Sequence, residues 1–150
     1  ANKHVGSIGA LNQAQTISYL DLKVVTNTKS NFQNYATEFA RIHNTYAQNT
    51  SGANTSASNA NVSAIAKIFG SAYGVAAQEL ENVPAPAAIA TAHLQLTNSY
   101  LSSAAASQAI AEIEKDQATG FAGMVAVNTN MSTESLLLNQ IETILKSNGI

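Results

Sequence analysis

The sequence contains no cysteine, so neither disulfides nor thiolate metal sites hold the fold. Charged residues are also scarce: they make up 11% of the chain, where about a quarter is usual. The seven basic residues are scattered from Lys3 to Lys146, which argues against an electrostatic grip on nucleic acid. No segment approaches the ~18 consecutive apolar residues that a membrane-spanning helix requires.

The polar surface must come instead from uncharged residues. Asn, Ser, Thr and Gln recur throughout the 150-residue chain, whose net charge is −2. A neutral surface rich in amides and hydroxyls is typical of exported proteins. We therefore expect an extracytoplasmic or cell-surface location, with any tether in a segment outside this chain. The length suits one domain with a sizeable core and is too short for two.

The longest uninterrupted helical pattern runs through residues 84–115. After Pro84 and Pro86 it contains no further proline or glycine, as expected for one long helix. Its apolar residues, including Leu96 and Tyr100, fall on one stripe at helical spacing and are flanked by a second apolar row. So broad an apolar face predicts an interior helix of a bundle.

Three further stretches show helical periodicity and predict an all-α fold. The first of them carries a stripe with four aromatic side chains in its second half, which would supply much of the core. A G-x-x-x-G spacing at Gly70 and Gly74 predicts a close helix contact. The predicted fold is an antiparallel up-down-up-down four-helix bundle. Its helices lie near residues 13–48, 61–81, 85–115 and 117–147.

Some segments depart from this pattern. Residues 1–12 are expected to form a flexible N-terminal lead-in. The remaining residues, 13–150, are expected to form a single domain. Residues 49–61 are of low complexity and too small to bury much apolar area, so they predict an exposed loop. Poor helix formers at 130–133 predict a kink or short break in the last helix, with Glu134 as a cap partner.

Candidate chemistry centres on the three histidines, His4, His43 and His93. None has metal-ligand spacing such as H-E-x-x-H. His93 falls on an apolar stripe, where an imidazole is usually a hydrogen-bonded core residue. Counting equal distances from the predicted turns places it level with a polar residue on each of the other helices. We therefore predict a structural polar layer without metal, made of Thr37, Tyr73, His93 and Asn139.

The residue patterns of other reaction centres are missing. No serine lies in a G-x-S-x-G elbow, and there is no cysteine nucleophile. Glu79 and Glu81, like Glu112 and Glu114, are two residues apart on a predicted helix, so the members of each pair face different directions. We accordingly predict no catalytic residue, no cofactor and no enzymatic activity.

A spaced pattern of residues extends from residue 84 to residue 150. It consists of Pro86, His93, Leu94, Asn98, Asp116 and the closing tail Ile144–Ile150. This pattern resembles that of an uncharacterised family of exported helical proteins from small-genome bacteria. One departure is Gln117, which follows Asp116 where the family has proline. The resemblance implies a helical fold and export, and it carries no activity or catalytic residue.

Together these observations predict a non-enzymatic extracytoplasmic structural or protein-interaction domain. It would be a subunit or accessory of a cell-surface assembly, with a second copy or another surface component as its partner. The alternative is a helical bundle that binds a small ligand or a metal through His93 and the aromatic face of the first helix. A filled internal cavity would favour the alternative, and repeated subunit contacts would favour the first interpretation.

Overall fold

The computed structural model of the chain describes residues 15–55 and 61–150. Within these ranges a 3-10 turn, Tyr19–Asp21, and two short strands, β1 (Val24–Val25) and β2 (Ala85–Pro86), accompany four α-helices. The helices are α1 (Lys29–Thr55), α2 (Val62–Glu81), α3 (Ala87–Ala111) and α4 (Gln117–Ser147). The predicted all-α helical bundle is confirmed. The predicted lead-in 1–12, and residues 56–60 of the predicted loop, lie outside the described residues.

Residues 15–28, all of which were predicted to be helical, form no α-helix and contain only the 3-10 turn and strand β1 as regular structure. The Ile17 backbone N–H donates to the side-chain oxygen of Asn98 on α3 at 2.8 Å, and the Asn98 amide donates back to the Ile17 carbonyl at 3.0 Å. Strand β1 then pairs in parallel with β2, immediately before α3. These partners hold the backbone away from a helical path. Leu20, an apolar residue of this segment, is 94% exposed.

Both bounds of the first helix therefore differ from the prediction. The helix begins after Thr28, whose hydroxyl accepts the backbone N–H of Asn31 at 3.2 Å, as an N-cap does. It ends at Thr55, so the prediction of a loop is wrong for the first part of that segment. The Thr50 hydroxyl bonds back to the carbonyl one turn earlier at 3.0 Å, and Ala53 is buried. Local side-chain bonding and burial thus extend the helix through a sequence of low complexity.

The other three helices begin where they were predicted to begin, within two residues. The Asn61 side chain caps α2 by accepting the backbone N–H of Ser63 at 2.7 Å. Asp116 caps α4 in the same way through the N–H of Thr119, at 3.1 Å. Helix α3 ends at Ala111, four residues short of the predicted bound at 115, because a tight turn precedes α4.

Helix α4 is continuous through residues 130–133, where a break was predicted. The hydroxyls of Ser132 and Thr133 donate to carbonyl oxygens one turn earlier, at 3.4 and 3.3 Å. Their side chains therefore bond within the helix instead of ending it. Glu134 lies inside the helix and is buried, so its predicted role as a cap partner is wrong.

The hydrophobic core lies where the inner faces of α1, α2 and α3 meet. Phe32 and Tyr35 of the predicted aromatic stripe are each 1% exposed, and Phe39 packs against them half-buried. Helix α4 contributes Leu137 and Ile141. The aromatic stripe therefore forms core as predicted, from Phe32 onward.

Glycines allow close approach between neighbouring helices. A Cβ on Gly70 of α2 would lie 3.3 Å from the Ser107 side chain of α3, whereas a Cβ on Gly74 would meet nothing within 4 Å. Of the predicted G-x-x-x-G pair, Gly70 alone serves a helix contact. Helix α4 approaches α3 more closely still, since a Cβ on Gly123 would lie 2.6 Å from the Ala106 carbonyl oxygen.

Alanine at Gly74 and at Gly123 should therefore change stability in opposite directions. Gly74→Ala should raise the free energy of unfolding by about 0.5–1 kcal/mol, because alanine favours the helix and the site is open. Gly123→Ala should lower it by about 1–3 kcal/mol, because the new methyl group overlaps a backbone carbonyl. Urea denaturation of both variants measures the difference. Equal effects would contradict the close α3–α4 contact.

Candidate functional site

His93 is 0% exposed and lies between α1 and α2. Its Nε2 is 2.9 Å from the Leu80 carbonyl oxygen, and its Nδ1 is 3.0 Å from the Tyr35 hydroxyl. Because a carbonyl can only accept, Nε2 carries the proton and Nδ1 accepts from the tyrosine. The prediction of a hydrogen-bonded core histidine is confirmed. Both ring nitrogens are engaged in hydrogen bonds within the bundle.

A second tyrosine–histidine pair joins α1 and α3, with the tyrosine on α3 and the histidine on α1. His43 of α1 donates from Nδ1 to the Phe39 carbonyl at 2.8 Å. Its Nε2 accepts from the hydroxyl of Tyr100 on α3, also at 2.8 Å. In the first pair α1 supplies the tyrosine, and in this pair α1 supplies the histidine. The two pairs together connect α1 to α3 at two levels of the bundle.

Burial shifts the pKa values of these four groups so that each stays uncharged. Desolvation lowers the pKa of His93 and of His43 below the usual histidine value, and the hydrogen bonds to backbone carbonyls oppose this only in part. Desolvation also raises the pKa of Tyr35 and of Tyr100. The two tyrosine–histidine contacts between α1 and α3 are therefore polar and uncharged.

The protein should be most stable between about pH 6.5 and pH 10. Below pH ~6.5, unfolded histidines take up protons that the buried ones resist, so stability falls by up to about 1.4 kcal/mol per pH unit for each. The loss continues until the pH passes the lowered pKa of the folded state. Above pH ~10, unfolded tyrosines lose protons that buried ones keep, so stability falls again. Urea titrations across this range measure both limbs, and an acid limb that stays flat down to pH ~5 would contradict the histidine assignment.

The predicted polar layer of Thr37, Tyr73, His93 and Asn139 does not form. Thr37 and Asn139 are exposed, and the Thr37 hydroxyl bonds to a carbonyl of its own helix at 3.0 Å. The Tyr73 hydroxyl bonds to α4 rather than to His93. Helical side chains lean toward the N-terminus of their helix, so His93 reaches back to Leu80 near the end of α2. Counting Cα positions across the turns did not include this displacement.

A buried carboxylate lies between α2, α3 and α4. Glu134 is 7% exposed and accepts hydrogen bonds from the hydroxyls of Tyr73 at 3.1 Å, Ser99 at 3.2 Å and Ser103 at 2.8 Å. Within the described ranges it forms no ion pair with a lysine or arginine. Three hydroxyl donors suit an ionised carboxylate, which can only accept. Burial raises the pKa of Tyr73 and of Tyr100, and the negative charge of Glu134 adds to the effect.

Sequence reasoning missed this carboxylate, although a signal was present. Glu134 is seven residues from Val127 and seven from Ile141, so it falls on the inward-facing apolar row of α4. No other acidic or basic residue occurs between Gln117 and Ile141. A single charge on the inner face of a helical stretch that is otherwise uncharged from residue 117 to residue 141 is the pattern that points to a buried, hydrogen-bonded acid.

An apolar cavity of about 350 Å³ is lined by residues of all four helices, and one of them is Tyr73, a hydrogen-bond partner of Glu134. Its walls include Tyr46 of α1, Phe69 and Tyr73 of α2, Ile110 of α3, and Met124 and Met131 of α4. The Tyr46 and Tyr73 rings lie 5.1 Å apart between centroids, and Tyr73 also donates to the carboxylate behind it. Apolar walls with a few converging polar groups are the usual form of a small-molecule site.

The described part of the chain contains no group of three or more histidine or acidic residues placed to hold a metal ion. His4 lies outside it. None of its helices combines the length and the apolar character needed to span a bilayer. Comparison of the chain with family models, with curated proteins and with solved structures finds no match.

Proposed function

We propose that this chain is a non-enzymatic protein-interaction domain that self-associates through the outer face of α4, as a subunit or accessory of a cell-surface assembly. The observation that carries this is an apolar stripe on that helix. Phe121, Val125 and Leu136, here called the α4 stripe, are 60%, 68% and 71% exposed. They are spaced by four and eleven residues, close to one and three turns, so they share one face. Exposed apolar surface of this kind marks contact sites.

The neutrality of this face supports a second copy as the partner. Between Asp116 and Glu142, Glu134 is the only acidic or basic residue, and it is buried. A face that carried like charges would repel its own copy, whereas a neutral face can meet itself across a two-fold axis. Self-pairing would cover the α4 stripe on both copies at once.

Sedimentation velocity of the wild-type protein and two variants tests this proposal. The wild type is expected to dimerise at micromolar concentration. Val125→Glu should be monomeric, because pairing would bury two unpaired carboxylates. The matched control is Val75→Glu on α2, where the native side chain is 39% exposed; this variant should still dimerise.

Circular dichroism should show that both variants keep the helical content of the wild type. A wild type that remains monomeric at about 100 μM would overturn self-association, since even a weak dimer would be populated there. Equal dimerisation of all three proteins would place the contact elsewhere on the molecule.

We also infer an antiparallel up-down-up-down order for the four helices. Two contacts between α2 and α3 support it: Leu80 meets His93, and Ser63 donates to the Ala111 carbonyl. The first contact joins the end of α2 to the beginning of α3, and the second joins the beginning of α2 to the end of α3. The tyrosine–histidine pairs join Tyr35 to His93 and, further along both helices, His43 to Tyr100. Helices α1 and α3 therefore run in the same direction, as the first and third helices of an up-down-up-down bundle do.

An extracytoplasmic or cell-surface location is part of the same proposal. It is supported by the charged fraction of 11%, by the abundance of Asn, Ser and Thr, and by the resemblance that covers residues 84–150. Protease treatment of intact producing cells, followed by fractionation, tests it. Recovery of the protein in the cytoplasmic fraction, fully protected from protease, would contradict it.

A further inference from the structure

We propose that the cavity between the four helices binds a small molecule with an apolar, ring-sized body and a positively charged amine. This inference does not depend on self-association. Ile65, Ala66 and Val127 line the cavity and are not part of the α4 stripe, whereas Phe121 and Val125 belong to the stripe and do not line the cavity.

The size and walls of the cavity set the body of the ligand. At about 350 Å³ it has roughly twice the volume of the ~150 Å³ apolar cavity that holds benzene. One or two fused rings would therefore fit. The two methionines, Met124 and Met131, are both exposed on one side of the cavity, and their unbranched side chains can adapt to what enters.

The charge beside the cavity sets the polar end of the ligand. Glu134 is a buried carboxylate with hydroxyl partners and, among the described residues, no cationic one. Tyr73 stands between the carboxylate and the cavity: its hydroxyl bonds to Glu134, and its ring forms part of the cavity wall. The interior field at this end of the cavity is therefore negative, so it attracts a cation and opposes an anion.

Aromatic rings at the same end favour an ammonium group in particular. The rings of Tyr73 and Tyr46, which both line the cavity, lie 5.1 Å apart, centroid to centroid. The Tyr100 ring, which lies outside the cavity wall, packs against Tyr73 at 5.3 Å. Ring faces attract cations, and the attraction grows where water is excluded. Tyr46 and Ser107 also line the cavity, and each carries a hydroxyl group, which can accept a hydrogen bond from an ammonium proton. A neutral molecule would use the apolar walls without using the charge.

Three probes that share one body separate these contributions: 1-naphthylmethylamine, 1-naphthalenemethanol and 1-naphthoate, all at pH 7. Binding is followed through the methyl signals of the two methionines in ¹H–¹³C spectra, because both line the cavity. The amine should bind at least ~10-fold more tightly than the alcohol, and the carboxylate most weakly. Failure of the amine to bind at about 5 mM, or equal binding of amine and alcohol, would overturn the proposal.

Two variants and a control extend the test to named residues. Glu134→Gln keeps the shape and removes the charge, so the ratio of amine to alcohol affinity should fall to about one. Ala66→Phe fills the cavity, so all probes should bind at least ~10-fold more weakly. Phe121 lies outside the cavity wall, so the Phe121→Ala variant should bind all three probes as the wild type does. Unchanged amine binding in Ala66→Phe would overturn the site, and the comparison of probes on wild-type protein stands even if Glu134→Gln fails to fold.

Discussion

Replacement of Phe32 by alanine is expected to lower the free energy of unfolding by about 3–5 kcal/mol. Phe32 belongs to the buried cluster at the beginning of α1, and its ring is almost wholly shielded from water. Truncation loses the transfer free energy of the ring and leaves a cavity that the neighbouring helices cannot close. Because a domain of this size has about 5–15 kcal/mol in total, the variant should be close to unfolding at 37 °C. Urea denaturation monitored by circular dichroism measures the change.

Phe121→Ala provides the control, because it removes the same ring from an exposed position on α4. Its effect should stay within about 0.5 kcal/mol when both variants are measured at a concentration that keeps them monomeric. If Phe32→Ala cost less than about 1 kcal/mol, the first helix would be peripheral to the core rather than part of it.

His93→Ala should destabilise the protein by about 3–4 kcal/mol, for a different reason. The substitution removes the imidazole that satisfies two buried groups, the Tyr35 hydroxyl and the Leu80 carbonyl. The Tyr35 hydroxyl would then be buried without a partner, whereas the Leu80 carbonyl keeps the backbone N–H of Val83 at 3.0 Å. A cavity would add to the cost. His43→Ala is the matched comparison in the reciprocal pair, and it should cost less because His43 is only half-buried and water can replace it.

A double-mutant cycle with Tyr35→Phe separates the hydrogen bond from the loss of volume. The coupling energy between the two substitutions should be about 1–2 kcal/mol, since the residues share one buried hydrogen bond. Additive effects would mean that the Tyr35–His93 contact contributes nothing of its own. Metal bound stoichiometrically by wild type and lost in His93→Ala would contradict the structural role of this histidine.

Helix content was predictable because apolar spacing and caps act locally. Asn61 and Asp116 are residue types that favour the N-cap position, and α2 and α4 begin beside them. The beginning of α1 was not predictable, because Ile17 and β1 are held extended by partners on and before α3 that are distant in sequence. Short-range periodicity cannot contain that information.

The sequence predicted that polar groups are buried in the bundle, but not which of them form hydrogen bonds with each other. His93 was expected to be buried and hydrogen-bonded, and it is, but its partners are Tyr35 and a backbone carbonyl rather than Tyr73 and Asn139. Partner choice depends on the tilt of side chains and on the lengths of turns, which shift the level of one helix against the next by up to a full turn. The cavity arises from the relative placement of four helices, so no single stretch of sequence could indicate it.

The opposed tyrosine–histidine pairs have a consequence for how many alignments the bundle can adopt. An apolar α1 with evenly spaced rings could slide along α3 by one turn, about 5.4 Å, at little cost in buried area. Such a slip would separate both pairs at once and leave two phenols and two imidazoles facing hydrocarbon. The pairs could not exchange partners, because the donor hydroxyl lies on α1 in one pair and on α3 in the other. The two pairs therefore destabilise a shifted register of α1 along α3 more strongly than they stabilise the correct register.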